Sequence, residues 1–389
     1  MTERLRVVVC GYVVRGPLGG LAWHHLQYVL GLARLGHDVL FMEDSEDYPA
    51  CYDPETHALS TDPSYGLGFA ADAFQRTGLP DAWAYYDAHG DRWLGPLGDR
   101  APVLAAQADV LLNVSGVNPP RGWWQGIPRR VLLDTDPAFT QIRHLEDSAA
   151  LAAVRSSHTS FLTFAGNIRR GSLVPDDGLA WEPTRQPVVL DAWPLVPGDP
   201  HASWTTVMQW DSYAEREHRG VVYGMKSRSF GPYLRLPARV PGERLALAVG
   251  SPSAPRDQLR AAGWEVLDPL AATRDPWTFR GFVQRSKGEF AVAKEGYVVS
   301  RSGWFSERSA NYLASGRPAV LEDSGFSSWL PCGTGLLAFR NPEEAADALE
   351  EVSADYERHC RAARDLAVAH FDARDVLNEI LDSVAGSPR

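Results

Sequence analysis

The residues best suited to chemistry fall in three places along the chain. Ser300 to Phe339 reads SRSGWFSERSANYLASGRPAVLEDSGFSSWLPCGTGLLAF. Ser302 and Gly303 precede a helix there and can offer backbone N–H donors, and Gly325-Phe326 can do the same from a loop beyond the next strand. Two such sets aimed at one point suit an anion. Arg308 lies one residue inside the helix, and Lys226, Arg228 and Lys294 are further candidate cations. His24 and His25 open an early helix, and their near-neutral pKa suits proton removal. On the helical wheel His25 flanks the apolar stripe while His24 points away. Asp134-Thr135-Asp136 follows an apolar run, so two carboxylates stand at a strand's carboxyl end. There an acid can orient a base or accept a proton, and Asp136 before Pro137 equally suits a turn.

Local signals define the elements that must carry these groups. Ser306 is a helix N-cap, Ala310, Leu313 and Ala314 give a small apolar face, and Gly316 with Pro318 stops the helix. Ala319 to Leu321 is then a short buried strand. Arg6 to Cys10 is an apolar run typical of a parallel strand covered on both faces. A loop with Gly16, Gly19 and Gly20 follows it, then a helix to Gly36 and a strand over Val39–Met42. This is the opening of a doubly wound α/β fold. It matches neither the dinucleotide nor the Walker phosphate pattern. Residues 45–100 read as an elaborated, partly helical insertion. Further strands are expected at 108–114, 130–133 and 161–164, and an apolar run at 188–190 precedes Asp191. Residues 194–203 form a Pro-rich link, and the pattern restarts after Trp210. Strands are expected there at 220–224, 245–250, 264–267, 290–294 and 297–300. Asn341, Pro342 and Glu344 mark a strong helix start. The 389 residues thus divide into an α/β half over 1–200, a second over 201–365, and a C-terminal helix over 366–389 that can pack back on the first.

Composition narrows the classes. A hydrophobic fraction of 44% with 22% charged residues is that of a globular protein, and the 13 Trp suit long aromatic-lined loops. A formal net charge of −11 argues against a nucleic-acid partner. The four cysteines are scattered without metal spacing. No secretory signal or membrane-length apolar segment is apparent, so a reducing cytoplasm is expected.

The second half resembles GT-B glycosyltransferases of the "glycosyl transferases group 1" type. N-Y-L-A-S-G-R-P-A-V is similar to that family's E-A-M-A-S-G-x-P-V-V. Asp323-Ser324-Gly325-Phe326 stands where the family has D-x-G-G, and Gly333-Thr334-Gly335-Leu336-Leu337 resembles its G-x-T-G-x-L-V. Gly19-Gly20 takes the place of its early Gly-rich loop, and Lys226 that of its strand-end phosphate-binding cation. The resemblance implies two Rossmann-like domains facing a cleft, an acceptor domain and a donor domain. It implies transfer of a hexose-type sugar from a nucleoside diphosphate sugar to a hydroxyl or amine of a small-molecule acceptor. Arg308 and Lys226 would bind the diphosphate, with Arg228 and Lys294 competing for the second role. His25 or His24 would act as base with Asp136, and Asp134 would face the acceptor. No metal or cofactor is required, although D-x-D holds a divalent metal in the other main glycosyltransferase fold. The partners expected are nucleotide sugar and acceptor, with a monomer or homodimer and no integral membrane segment. Gly303 and Asn311 stand where the family has two Glu residues. Glu307 is the nearest acid, and Asn311 could reach a ribose hydroxyl only as a neutral group. An epimerase or hydrolase on the same scaffold, or a non-catalytic nucleotide-sugar binder, is the alternative.

Overall fold

The computed structural model describes residues 4–385. Two open sheets organise the chain. The first runs, edge to edge, Trp181–Pro183, Ser160–Thr163, Arg129–Asp134, Val110–Val114, Arg6–Cys10, Asp38–Asp44, Trp83–Asp87 and Arg92–Leu94. Its pairs are parallel except the last. The second runs Glu265–Leu267, Leu245–Gly250, Trp204–Gln209, Gly288–Ala291, Ala319–Glu322 and Leu336–Phe339, parallel throughout. Central strands such as Val110–Val114 and Leu245–Gly250 are buried along their whole length, as double coverage by helices requires.

The two halves close tightly on each other. The Gly19–Arg34 helix packs against Pro276–Arg285 and Glu307–Ala314 of the second half and against the final Ala373–Ala385 helix. One apolar cluster accordingly runs from Val7 through Phe279 and Leu313 to Leu381. Glycine permits the approach. A Cβ at Gly19 would overlap the Asp275 carbonyl, and one at Gly31 would press into Leu377.

Several expected elements differ. Tyr297 lies in a helix, Glu295–Val299, rather than a strand. The 220–224 run yields Val221–Tyr223, which pairs antiparallel with Arg216–His218 outside the main sheet. The second sheet instead begins earlier, at Trp204–Gln209, whose polar Thr205 is buried because its hydroxyl meets Tyr312 at 2.7 Å. Residues 45–100 supply Trp83–Asp87 and Arg92–Leu94 to the first sheet. Val188 makes only an isolated bridge to Asp372. Gly19 and Gly20 are the first residues of a helix, not part of a loop. The chain's end forms two helices, Tyr356–Phe371 and Ala373–Ala385, and residues 386–389 lie outside the described ones. No helix among the described residues is long and apolar enough to cross a membrane.

Candidate active site

In the second half the site is built around the start of the Glu307–Ala314 helix. Ser306 is its N-cap, its hydroxyl accepting from the Arg308 N–H at 3.2 Å. Arg308 is pinned from below. Its Nε donates to the fully buried Glu289, and a terminal nitrogen donates to the Val207 carbonyl at 2.9 Å. Lys226 opens the Lys226–Ser229 turn and is buried. Burial pulls its ammonium down to about 7, with Arg308 and Lys294 adding like-charge repulsion. Its ammonium has no hydrogen-bond partner among the described residues. Beside Arg308 lies a cavity of about 20 Å³ bounded by Ala293, Trp304, Ser306, Glu322 and Phe326. Burial pushes the Glu322 carboxyl up to about 7; its oxygens accept from Ala293 N–H at 3.0 Å and Tyr233 hydroxyl at 3.2 Å.

Other expected donor groups are engaged elsewhere. Arg228 is exposed and pairs with Glu295 at 2.7 Å. Lys294 crosses between the halves: its ammonium meets Asp136 at 3.0 Å and the Tyr213 hydroxyl at 2.7 Å. The rings of Phe139, Tyr213 and Tyr297 surround it at 4.4–5.3 Å. The backbone donors are also taken. Ser302 N–H meets the Tyr297 carbonyl at 3.3 Å, Gly303 N–H the Ser324 carbonyl at 2.9 Å, and Gly325 N–H the Asp323 carboxylate at 2.8 Å. These bonds brace the two loops against each other, and Asn167 from the first half ties Gly325 at 2.9 Å. Phe326 is buried against Phe305. Asn311 is buried with its oxygen accepting from Gln27 at 2.7 Å, so its amide joins the halves instead of facing a ribose. Gly19 and Gly20 contact Asp275 and Phe279 rather than open space.

From the first half, His24, Asp134 and Asp136 reach the same region. His25 is fully buried with both ring nitrogens unpartnered, and burial holds it well below the usual histidine range. His24 is buried but bonded, to Gln186 at 2.8 Å and Ser115 at 3.3 Å. Burial lowers its pKa, partly offset by the carboxylate of Glu307. Asp134 faces inward, accepting from Asp136 N–H at 2.9 Å, Thr163 at 2.8 Å and Gln141 at 3.1 Å. Burial raises its pKa. Asp136 is opposite in character. Burial alone would raise it, but Lys294 and the hydroxyls of Tyr213 and Tyr297 hold it below the usual carboxylate range.

Glu307 stands between the two sets. Its charge acts on Tyr12, His24 and Tyr28 of the first half and on Lys226 and Tyr297 of the second. Its carboxylate has neither a hydrogen bond nor an ion pair among the described residues. The site therefore presents the buried Lys226 ammonium, Arg308 anchored on Glu289 at a capped helix start, and the Glu307 carboxylate, whose charge is felt by His24 of the other half. Sequence reasoning missed Glu289, Glu322, Tyr213, Tyr297, Ser115 and Gln186. Only the first carried a signal, as a carboxylate inside an apolar strand, where burial demands a partner.

No family model and no curated protein matches the chain. Solved structures do match it over nearly its whole length. An α-glucosyltransferase in complex with UDP-glucose and DNA containing an abasic site is 12% identical, with 98% of this chain and 100% of that one covered and a TM-score of 0.61. HepE of Anabaena in complex with UDP-glucose is 11% identical, with 98% and 100% covered and a TM-score of 0.57. AviGT4, a glycosyltransferase involved in avilamycin A biosynthesis, is 14% identical, with 98% covered in each and a TM-score of 0.52. The two facing sheets are the GT-B fold. One expectation is overturned. Net charge does not exclude a nucleic-acid partner for this architecture, because the α-glucosyltransferase structures contain DNA. Charge summed over a whole molecule says little about one face of a cleft.

Proposed function

We propose that this protein is a GT-B glycosyltransferase that moves a hexose-type sugar from a nucleoside diphosphate sugar to an acceptor hydroxyl or amine. The carrying observation is the buried Lys226 ammonium, without a hydrogen-bond partner among the described residues and repelled by Arg308, whose helix start is capped by Ser306. A buried ammonium repelled by a neighbouring guanidinium is costly alone and favourable beside a diphosphate. In this reading the two cations and the helix terminus offset the charge that develops on the leaving diphosphate. Glu307 accepts from a sugar hydroxyl, in place of the Glu pair that is Gly303 and Asn311 here. Because structures of this fold hold UDP and UDP-glucose, uridine donors head the test series.

Purified protein is first screened by thermal shift against UDP, GDP, ADP and their sugar conjugates. Mass action raises the melting temperature for a ligand that binds the folded state. Acceptor-dependent release of nucleoside diphosphate is then followed with EDTA present, across small sugars, small alcohols and amines, and duplex DNA. Release that needs an acceptor supports transfer. Free sugar or an epimer from donor alone supports the hydrolase or epimerase reading. Binding without turnover across the series would reduce the protein to a binder.

A further inference from the structure

One hydrogen-bonded row leads away from the cleft behind the Arg129–Asp134 strand. The Gln186 amide nitrogen points at two carbonyls, those of His24 at 3.3 Å and Pro187 at 3.2 Å, which fixes the orientation of its side chain. Its oxygen therefore faces His24 Nδ1 at 2.8 Å. An amide oxygen only accepts, so Nδ1 carries the hydrogen and Nε2 of the neutral ring is left as an acceptor. Ser115 Oγ lies 3.3 Å from that Nε2 and itself accepts from Thr135 Oγ1 at 2.8 Å. Hydrogen-bond direction thus runs one way, from Thr135 through Ser115 to His24. Thr135 Oγ1 keeps lone pairs for one further donor. Its residue is partly exposed between Asp134 and Asp136, and its carbonyl accepts from Trp304, a wall of the cavity beside Arg308. Ser115 holds φ at +65°, a backbone strain that a serine bears only where its surroundings impose it.

We infer that Thr135 and Ser115 form a proton relay that carries the acceptor's proton to Nε2 of His24, which acts as the terminal base without touching the acceptor. The inference rests on the transfer reading above. As the acceptor oxygen bonds to the anomeric carbon, the bond from that carbon to the diphosphate oxygen breaks and its electron pair leaves with the nucleotide. The acceptor's proton passes to Thr135 Oγ1, the Thr135 proton to Ser115, and the Ser115 proton to His24. The resulting imidazolium keeps Nδ1–H on Gln186. The charged or titratable groups facing His24 are Glu307 across the cleft and His25 and Tyr28 on its own helix. Of these Glu307 stabilises the imidazolium, while burial holds His25 well below the usual histidine range. After turnover the proton returns along the same row to solvent.

The test uses the full chain with UDP-glucose, GDP-mannose or ADP-glucose as donor and glucose as acceptor, scoring nucleoside diphosphate release above that seen without acceptor. Ser115→Gly removes the hydroxyl while suiting the left-handed backbone. Thr135→Val breaks the row and Thr135→Ser retains it. Ser115→Gly and Thr135→Val should lower kcat about a hundredfold with donor KM unchanged. Thr135→Ser should restore most of the rate. Wild-type kcat should fall on the acid side, at a pH below that of a free imidazole because burial lowers His24, since protonated His24 cannot accept, and Ser115→Gly should lose that limb. Retention of both rate and acid limb in Ser115→Gly overturns the relay. If Ser115→Gly does not fold, equal rates for Thr135→Val and Thr135→Ser overturn it instead. Release of no diphosphate by wild type from any of the three donors overturns the transfer reading itself, and the relay with it.

Discussion

At the scale of single residues, the decisive group is Lys226. An unfolded lysine titrates near 10.4, whereas burial and Arg308 hold this one near 7. The folded state therefore binds fewer protons between those limits, and stability rises with pH across them. Below about pH 7 the protein bears the full cost of a charged, unpaired ammonium; toward pH 10 that cost fades. Lys226→Met should accordingly melt a few degrees higher than wild type at pH 7, with the difference shrinking toward pH 10. The same variant should lose its thermal response to nucleoside diphosphates. A variant that melts lower and still binds them would show that Lys226 is a packing residue. The sign also predicts proton uptake: a diphosphate restores the charged form, so binding at pH 8 should draw protons from the buffer. Calorimetry in two buffers of different ionisation enthalpy reads this directly. Sequence made Lys226 and Arg308 legible as cations near an anion site. It could not show that Glu289 anchors Arg308 or that Lys294 is spent on Asp136, because those partners are 19 and 158 residues away.

At the scale of elements, signals held within a few residues were the readable ones. The Ser306 cap, the left-handed Gly316 at φ +67° and the Asn341 cap accepting from Glu344 at 2.8 Å all stand as local pattern required. What failed depended on distant partners. Trp204–Gln209 carries two threonines and reads weakly as a buried strand, yet Tyr312, Ser286 and the neighbouring strands complete it. Tyr297 reads as strand by β-propensity, but its hydroxyl is bound to Asp136 of the other half, which favours the helical turn that delivers it. The Glu307–Ala314 helix is the element on which donor affinity should turn. Ser306→Ala removes its N-cap at a cost of about 1 kcal/mol. The melting temperature should drop by about 2–4 °C for a domain of this size. Loosening of the first turn also shifts Arg308, so donor KM should rise more than kcat falls. Unchanged donor KM alongside the stability loss would separate the cap from the site.

At the scale of the whole molecule, the two halves are tied to each other by direct side-chain contacts. The cavity of about 20 Å³ beside Arg308, lined by second-half residues alone, holds roughly one water, whereas ligand pockets are typically ~300–1,000 Å³. If a nucleotide sugar enters between the halves, these contacts are what resists their parting. Lys294 joins Asp136 across the interface inside its aromatic surround, Gln27 joins Asn311, and Asn167 joins the Gly325 loop. The Lys294–Asp136 pair is the strongest candidate for the restraint, because charge, two tyrosine hydroxyls and three rings meet at one point. Its side chains are 15% and 22% exposed, which places its worth between surface and buried pairs, at about 1–3 kcal/mol. Lys294→Met keeps an apolar stem among the rings while removing the charge. Small-angle scattering should then show a larger radius of gyration than wild type without ligand. If closure limits exchange, the dissociation of bound nucleoside diphosphate should also quicken, by about fivefold to a hundredfold for that energy. Asp136→Asn should move both readings the same way, and the double variant should add little to either, since one contact has been removed twice. Two single variants that scatter as wild type does would assign closure to the apolar seam running from Phe279 to Leu377.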